Sequence, residues 1–545
     1  MSLKKASIVF GKTNSITLHF NFTKKLLLII GLLAMGSLRA QTISMDQQPV
    51  EDAMRRAQLL GKYDSSVSFM LRPLQANDSF GFKKIDKHFL GKWGYATLLP
   101  VQLTQQFVTA QPFQELDGPM LASSGYQLMA SAGMYARLGP LSIQLQPQYV
   151  YAANQNFRGT IQTPNYSKTY WGNSSIRLNA GAFSVGLSSE NITWGPSIMN
   201  PLLMSSHAPG FEHLSFNSRR PLKTYIGSFE WQWVAGYLQD ISSNYNSIAE
   251  LPYIAPDNQR KRYFNGAMFS YQPKWTKGFS VGITRVVQEP EILLQDNKQW
   301  NLLFRNVSRV SDQKAFVNSL LGSVEDNRDQ YASVFLRWVF FPAHAEFYTE
   351  WGRNDAFFNL RDFIQDPEHS RGYTYGFKKI FKQKNNQEYW QFMSEYTRLQ
   401  QASTYPVRTA WTWYVHDPMS GYNHQGQVLG APIGSGGNYM MLRISKHKSW
   451  HQKALQLEST TRQADKYEEP YYGYTYKNPG TTKWVDFGLR FIMDRPYKNY
   501  LISSSIALKR SYNYKFTQPA DATGFGFNNP NDVNSFLFSI TLRYL

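Results

Sequence analysis

Apolar and polar residues alternate with a period of two along much of this chain. Over residues 141–149, apolar side chains take most odd positions and polar side chains take the even ones. This pattern is typical of a β-strand with one face against an apolar environment and the other in water. Residues 126–137 alternate as well, and Leu138-Gly139-Pro140 separates the two segments. The sequence therefore predicts a hairpin with a short turn at Gly139.

The alternation recurs to the end of the chain. Residues 331–340 and 345–351 flank a turn at Pro342, and residues 485–493 precede a turn predicted at 494–496 and a strand over 501–510. The last strand, residues 536–544, carries its large apolar side chains on one face. Strands of about ten residues cross a bilayer when they are tilted. The candidates between residues 65 and 544 predict an all-β fold, a transmembrane antiparallel β-barrel of about 18 strands.

A soluble β-sandwich also shows this alternation. The second face of the predicted strands, however, carries these charged residues: Glu230, Arg337, Glu346, Glu350, Arg443, Asp486 and Arg490. A sandwich core cannot bury so many charges without partners, whereas the lumen of a barrel holds water. Short turns also alternate with long polar segments, as they do in outer-membrane barrels. Both features favour the barrel.

The N-terminal region has the order of a secretory signal peptide. Lys24-Lys25 precedes the apolar run 26–35, and small residues lead to Ala40-Gln41. The run is too short to span a membrane as a helix, and we expect cleavage after Ala40. We therefore divide the chain into a signal peptide (1–40), a periplasmic helical segment (41–64) and the barrel with long loops (65–545). Residues 50–61 favour helix and end at Gly61, although a flexible leader is an alternative.

Composition agrees with an exported barrel. Aromatic residues make up 15% of the chain, as expected where Tyr, Phe and Trp form girdles at the two lipid–water interfaces. The absence of cysteine excludes a disulfide framework, a thiol nucleophile and an N-terminal lipidated cysteine. The formal charge is +19, and the first 40 residues hold six basic residues and no acidic one. Anionic polysaccharide or lipid is a plausible partner for such a protein outside the cytoplasm, and nucleic acid is not.

The densest group of unusual residues spans 194–214. It begins with Trp194-Gly195-Pro196 and ends with Ala208-Pro209-Gly210-Phe211-Glu212-His213-Leu214. Its prolines and glycines predict a structured loop rather than a strand. Aromatic faces, amides, imidazoles and carboxylates hold carbohydrates, so the candidate ligand-binding residues are those of this type in this loop and in two later segments: Trp194, Asn200, His207, His213, Trp351, Asp355, Tyr422 and His424.

Three stretches carry a family resemblance. The segment 194–214, with its WGP, NPLL and APGF elements, resembles the capsule-assembly Wzi family, and residues 347–355 and 421–430 look similar to further parts of that family. The resemblance implies an outer-membrane barrel with a periplasmic helical plug. It also implies a lectin-like role in binding capsular polysaccharide and organising it at the cell surface, without catalysis.

Each candidate has a purely structural alternative. Trp194-Gly195-Pro196 could simply turn the chain and plug the lumen. Glu350 and Arg353 could only pair with lumen charges, and residues 422–424 could form an ordinary solvated loop. His207 and His213 are six residues apart, which matches no zinc signature. Ser206 and His207 are adjacent, so their side chains diverge and do not form a nucleophile–base pair.

These observations lead to one expected function and two others. We expect an outer-membrane barrel that binds capsular or extracellular polysaccharide, acts as a monomer, contacts outer-membrane lipid and needs no cofactor, metal or catalytic residue. A porin or specific channel for small solutes is the alternative from another class. An outer-membrane hydrolase is the third, and we expect no enzymatic activity.

Overall fold

A computed structural model describes residues 48–74, 86–89, 94–113, 115–155, 157, 165–239, 261–291, 329–354, 360–382, 388–401, 412–415, 421–465, 483–516 and 531–544. The predicted signal peptide lies outside the described residues, as does Asp355.

Two α-helices and 26 strands make up the described chain. The helices are α1 (Gln48–Leu59) and α2 (Leu360–Gln365). None of the helices in the described ranges is long and apolar enough to cross a membrane. The strands are β1 (Leu71–Arg72), β2 (Asp86–Phe89), β3 (Gly94–Val108), β4 (Gly125–Leu138), β5 (Leu141–Leu145), β6 (Gln148–Ala152), β7 (Tyr166–Tyr170), β8 (Ser175–Ala180), β9 (Phe183–Ser188), β10 (Thr193–Trp194), β11 (His213–Ser218), β12 (Leu222–Lys223), β13 (Gly227–Leu238), β14 (Arg262–Pro273), β15 (Phe279–Pro290), β16 (Asp329–Phe340), β17 (Ala345–Asn354), β18 (Arg371–Lys382), β19 (Glu388–Arg398), β20 (Asn423–His424), β21 (Gln427–Val428), β22 (Asn438–Lys448), β23 (His451–Arg462), β24 (Trp484–Tyr497), β25 (Tyr500–Tyr512) and β26 (Val533–Tyr544).

The wall is a closed antiparallel barrel of 18 strands, which confirms the predicted fold. Four wall positions are each shared by two strands: β5 and β6 both pair with β4, β7 and β8 continue against them, β11 and β12 both pair with β13, and β2 and β26 both pair with β3. The barrel closes where β26 pairs with β3, from Leu537 opposite Val108 to Arg543 opposite Gln102.

The predicted alternation gives the wall two different faces. Outward positions carry large apolar side chains that are exposed here, such as Leu98, Ile176 and Leu508, which are 67%, 55% and 54% exposed. Tyr497 and Tyr500 project outward at one end of the wall, and Tyr396 and Tyr512 do so at the other. This apolar belt with aromatic ends faces lipid, so the protein resides in the outer membrane. The inward positions include the predicted lumen charges.

The short turns lie where predicted, with one exception. Gly139 turns β4 into β5, and residues 341–343 form a 3-10 turn between β16 and β17. The turn predicted at 494–496 is wrong, because β24 continues to Tyr497, which pairs with Tyr500 across Lys498-Asn499. Pro496 remains in the strand because β23 stops pairing with β24 at Asp494, so the missing N–H costs no ladder bond there.

Three internal segments enter the lumen and together form what we call the plug: residues 48–74, residues 189–212, and the described residues 412–415 and 421–437 of the third. Helix α1 lies at the end of the barrel with the short turns, since the Leu59 carbonyl contacts His344 Nδ1 at 2.9 Å. Short turns face the periplasm in outer-membrane barrels. The other two segments belong to long connections and enter from the opposite end. They share one apolar cluster that includes Leu202, Phe211, Trp413 and Tyr422.

Candidate functional site

A single carboxylate on β19 holds the backbone of the plug. Glu395 accepts hydrogen bonds from the N–H groups of Ile198, Met199 and Asn200 at 2.9, 3.0 and 2.8 Å. It also accepts one from the Tyr348 hydroxyl at 2.6 Å. Hydrogen bonds to an ionised acceptor are stronger than neutral ones, and buried N–H groups are costly when they lack a partner. Glu395 therefore fixes the turn of the plug that follows Pro196.

A second carboxylate, Glu350 on β17, likewise accepts hydrogen bonds from the plug backbone, one turn further along the plug. It accepts from the Leu202 N–H at 3.2 Å and from the Ser333 hydroxyl at 2.8 Å. Its oxygen would lie 2.8 Å from a Cβ at Gly195, whose φ of +86° is also unfavourable for any other residue. Glu350 thus binds the plug backbone rather than a basic lumen side chain. Gly195 is required both for the turn and for this close approach.

A buried ionic cluster joins α1 to the wall. Arg55 donates from Nε to Glu346 at 2.9 Å and from Nη2 to the Pro196 carbonyl at 3.0 Å. Arg337 donates to the same carboxylate, and Lys378 Nζ lies 3.9 Å from it. All four side chains are at most 2% exposed. The cluster connects the N-terminal helix, the Trp194-Gly195-Pro196 turn and three wall strands in one network.

Four candidate residues of the segment 194–214 lie inside the barrel. The Trp194 indole donates to Gln232 at 2.8 Å and occupies the space left by Gly266, where a Cβ would come within 2.9 Å of the ring. Asn200 is bound through its backbone to Glu395. His207 Nδ1 contacts the Glu115 carbonyl, and His213 Nδ1 contacts the Phe211 carbonyl, each at 2.7 Å. All four side chains are at least 96% buried.

Tyr422 and His424 join the same group from the segment 421–437. The Tyr422 hydroxyl donates to the Leu203 carbonyl at 2.8 Å, and its ring stacks on Tyr414. His424 Nδ1 accepts the Gln239 N–H at 3.0 Å. Residues 422–424 are therefore buried plug rather than an ordinary solvated loop. Burial lowers the pKa of His207 to about 4 and that of His424 to about 3, so both imidazoles are neutral at pH 7.

Trp351 lies apart from this group. Odd-numbered positions of β17 face outward, so Trp351 is on the lipid side of the wall while its neighbour Glu350 points into the lumen. The structure thus brings together six of the eight candidates, places Trp351 on the other face, and does not describe Asp355. Sugar binding by these eight residues remains a prediction, because nothing in their geometry tests it.

A polar cavity remains between the plug and the wall formed by β3 and β22–β26. Its volume is about 250 Å³, and it runs from the level of α1 to the β3–β4 connection at Glu115 and Asp117. It exists because inward positions on three successive strands are small, namely Gly488, Ser505 and Ser539. On the opposite side, the wall carries the long acidic and basic side chains that reach the plug. Within the described part of the chain, the lumen is therefore divided into a half that the plug fills and a half that holds the cavity.

Sequence reasoning identified only part of this cavity. Among the eight candidates, Asn200 alone lines it. The sequence predicts Arg443, Asp486 and Arg490 as lumen charges and places Thr541 on the second face of the last strand, whereas Gln456 and Ser505 were not singled out. A signal was present in the sequence, since several inward positions of β24, β25 and β26 are glycine or carry hydroxyls.

The fold of the chain is similar to that of a known barrel. The chain is similar to Wzi of Escherichia coli, an outer-membrane protein involved in group 1 capsule assembly and described as a carbohydrate-binding β-barrel. The likeness has a TM-score of 0.58 at 11% identity and covers 92% of this chain and 99% of Wzi. The chain shares the Wzi fold.

Other barrels are less similar. OprD of Pseudomonas aeruginosa gives a TM-score of 0.38 at 9% identity, covering 82% of this chain and 92% of OprD. OccAB1 of Acinetobacter baumannii gives 0.41 at 8% identity, covering 84% and 98%. No family model matches the sequence, and no curated protein matches it either.

Proposed function

We propose that this chain is a lectin-like outer-membrane barrel that binds capsular or extracellular polysaccharide and supports its assembly and attachment at the cell surface. The observation that carries the proposal is the plug, which buried carboxylates fix against β13–β19. A lumen half filled by a fixed plug is poorly suited to general diffusion. The space that remains is lined by amides and hydroxyls, which suit the hydroxyl groups of sugars.

The likeness to Wzi supports the same proposal, because that barrel is described as carbohydrate-binding. In this proposal residues 1–40 are an export signal, residues 41–64 form a periplasmic helical segment at the short-turn end, and residues 65–545 form the barrel. The protein acts as a monomer and without catalysis.

Deletion of the gene tests the proposal. In a strain that makes a surface polysaccharide, we expect polysaccharide to move from the cells into the medium while its total amount stays constant. Restoring the wild-type gene should return it to the cells. The measurement is the amount of polysaccharide in the cell pellet and in the supernatant. An unchanged pellet fraction in the deletion strain would contradict the proposal.

A specific channel for small solutes is the second candidate, and the cavity beside the plug favours it. The cavity has polar contacts along much of the barrel height. Reconstitution in planar bilayers separates the two functions: a channel gives reproducible conductance steps and no polysaccharide retention at the cell surface.

A further inference from the structure

The outward face of the barrel carries a group of basic side chains at the end with the short turns. These side chains alternate with inward positions on three neighbouring strands, β22, β23 and β24, and therefore point away from the lumen. We call them the basic patch: Lys446, Lys448, Lys453 and Arg495. The strand pairing brings them together, because Lys446 lies opposite Lys453, and β24 pairs with β23 up to the residue before Arg495.

The patch places like charges directly against each other. Lys453 has Lys446 opposite on β22 and Met493 opposite on β24. On the same face of β23, its neighbours are His451 and Leu455. None of these four described neighbours is acidic. Like charges directly opposite each other on neighbouring strands destabilise a sheet, so an anionic group bound between them would remove a repulsion that the wall otherwise carries.

One acidic side chain borders the patch. Glu388 on β19 contacts Lys446 Nζ at 2.8 Å and Lys448 Nζ at 3.6 Å, so the two lysines share a single carboxylate. The two lysine side chains remain 43% and 57% exposed and can therefore reach a further partner. Four positive charges and one negative charge leave a formal charge of +3 on this part of the wall.

The patch lies at the level of lipid headgroups. Trp390 projects outward on β19 directly opposite Lys446, and Phe381 on β18 lies opposite Trp390 in the same row. Tyr497 follows Arg495 on the same face of β24. Outward Trp and Tyr mark the boundary between hydrocarbon and headgroups in a barrel. Because the short turns face the periplasm, this boundary belongs to the inner leaflet of the outer membrane, where phospholipids present their phosphates.

The positive charge is concentrated on one sector of the wall. The outward positions around the β4–β5 turn lie at the same end of the barrel and are all apolar: Ala136, Leu138, Leu141 and Ile143. A site for one kind of headgroup requires such a local difference, whereas a uniformly basic rim would attract anionic lipid all round the barrel.

We infer that the basic patch binds the phosphate of an anionic phospholipid in the inner leaflet of the outer membrane. Lys446 and Lys453 donate to the phosphate oxygens, and the planar guanidinium of Arg495 can donate two parallel hydrogen bonds. The acyl chains lie against outward apolar side chains further along the same strands, such as Ile444 and Leu455. The inference concerns the attachment of the barrel to its membrane and does not rest on the proposed function.

Native mass spectrometry of the full-length barrel, purified in a non-ionic detergent, tests the inference. The probes are short-chain phosphatidylglycerol, short-chain phosphatidylcholine and hexagalacturonate, an acidic saccharide without acyl chains. One basic residue near an anionic surface contributes roughly fivefold to affinity, so we expect phosphatidylglycerol to bind about fivefold or more tightly than either of the other probes. Equal binding of the two lipids overturns the inference, as does binding of hexagalacturonate that equals or exceeds that of phosphatidylglycerol.

Two double variants locate the binding. Lys453→Gln with Arg495→Gln removes two charges from the patch and should weaken phosphatidylglycerol binding about fivefold or more. Lys274→Gln with Lys277→Gln is the matched control, because it removes two exposed charges from the β14–β15 turn at the same end of the barrel, and it should bind as wild type does. Unchanged binding in the patch variant refutes the site. An equal loss in both variants also refutes it, because net charge alone then accounts for the attraction.

A charge-preserving variant separates the loss of charge from a loss of folding. Lys453→Arg with Arg495→Lys keeps both positive charges and should keep the preference for phosphatidylglycerol over phosphatidylcholine. Gel electrophoresis without heating checks that the barrel of each variant is folded. Loss of the preference in a folded barrel of this variant would contradict binding through the charges of the patch.

Discussion

Glu395 offers the sharpest test of how the plug is held. Replacing it by glutamine keeps the shape of the side chain but removes its charge and turns one acceptor oxygen into a donor. Oε2 accepts from both the Ile198 N–H and the Tyr348 hydroxyl, and Oε1 accepts from the Met199 and Asn200 N–H groups. A glutamine amide has one accepting oxygen and one donating NH2 group, so only one of these two pairs of donors keeps its acceptor.

The expected cost follows from these four bonds. A hydrogen bond to a charged group contributes about 1.5–3 kcal/mol. The substitution removes one N–H bond outright and weakens two others by neutralising their acceptor, while the Tyr348 hydroxyl can turn to accept instead. We expect the plug to lose roughly 3–4 kcal/mol of stability relative to the barrel, since lumen water replaces part of what is lost. The wall keeps its ladder bonds.

Planar-bilayer conductance and limited proteolysis measure this effect. Glu395→Gln should show larger and more frequent conductance steps than wild type, and protease should cut within residues 189–212 while the barrel stays intact in gel electrophoresis without heating. Glu388→Gln is the matched control, because it lies on the same strand at the edge of the barrel and, among the described residues, pairs with Lys446 and Lys448 rather than with the plug. Wild-type conductance and wild-type protease resistance in Glu395→Gln would refute our account of the plug.

Three further predictions follow from the same structure. Glu346→Gln leaves buried basic groups unpaired at a cost of about 3–5 kcal/mol, and should expose α1 to protease added from the periplasmic side. The pKa values of His207 and His424 are lowered to about 4 and about 3, so these residues stabilise the plug above about pH 6.5. This contribution is lost as the pH falls towards 4. Conductance should therefore rise between pH 7 and pH 4.5, and His207→Asn should shift this transition to lower pH. Leu489→Arg, on the lipid face near mid-strand, should destabilise the barrel by about 2–4 kcal/mol in a heat-modifiability assay, whereas Ser505→Arg, which faces the cavity, should be tolerated.

The alternation of apolar and polar residues predicted the wall, because every wall strand meets the same two environments. A strand with lipid on one side and water on the other must alternate, so residues such as Phe536 and Ser539 could be assigned to their faces from the sequence alone. The helix at Gln48–Leu59 was also predicted by its residues and by Gly61, which adopts a φ of +71° just after it. The turn lies at Lys498-Asn499 rather than at the predicted 494–496, because Pro496 stays in the strand where β23 no longer pairs.

The interior could not be predicted in the same way. Asn200 and Glu395 are 195 residues apart, and no local pattern connects them. In the sequence, Trp194, His207 and Tyr422 are residue types expected in a sugar-binding surface loop. In the structure, each packs inside the barrel with its polar group bonded to the protein. Their burial depends on which loops fold inward, and this is decided by long-range contacts such as those of Glu350 and Arg55.

The unequal halves of the lumen have a consequence for how the molecule is built. The carboxylates that hold the plug lie on β13, β17 and β19, in the middle of the sequence, whereas the strands that close the wall, β26 and β3, border the cavity. The middle strands of the sheet can therefore bind the plug before the first and last strands of the barrel pair with each other. The final joining step then forms the ladder between Gln102–Val108 and Leu537–Arg543, and little of the described plug lies there to be displaced. The barrel can thus fold in two stages, in which the plug is positioned first and the wall closes second.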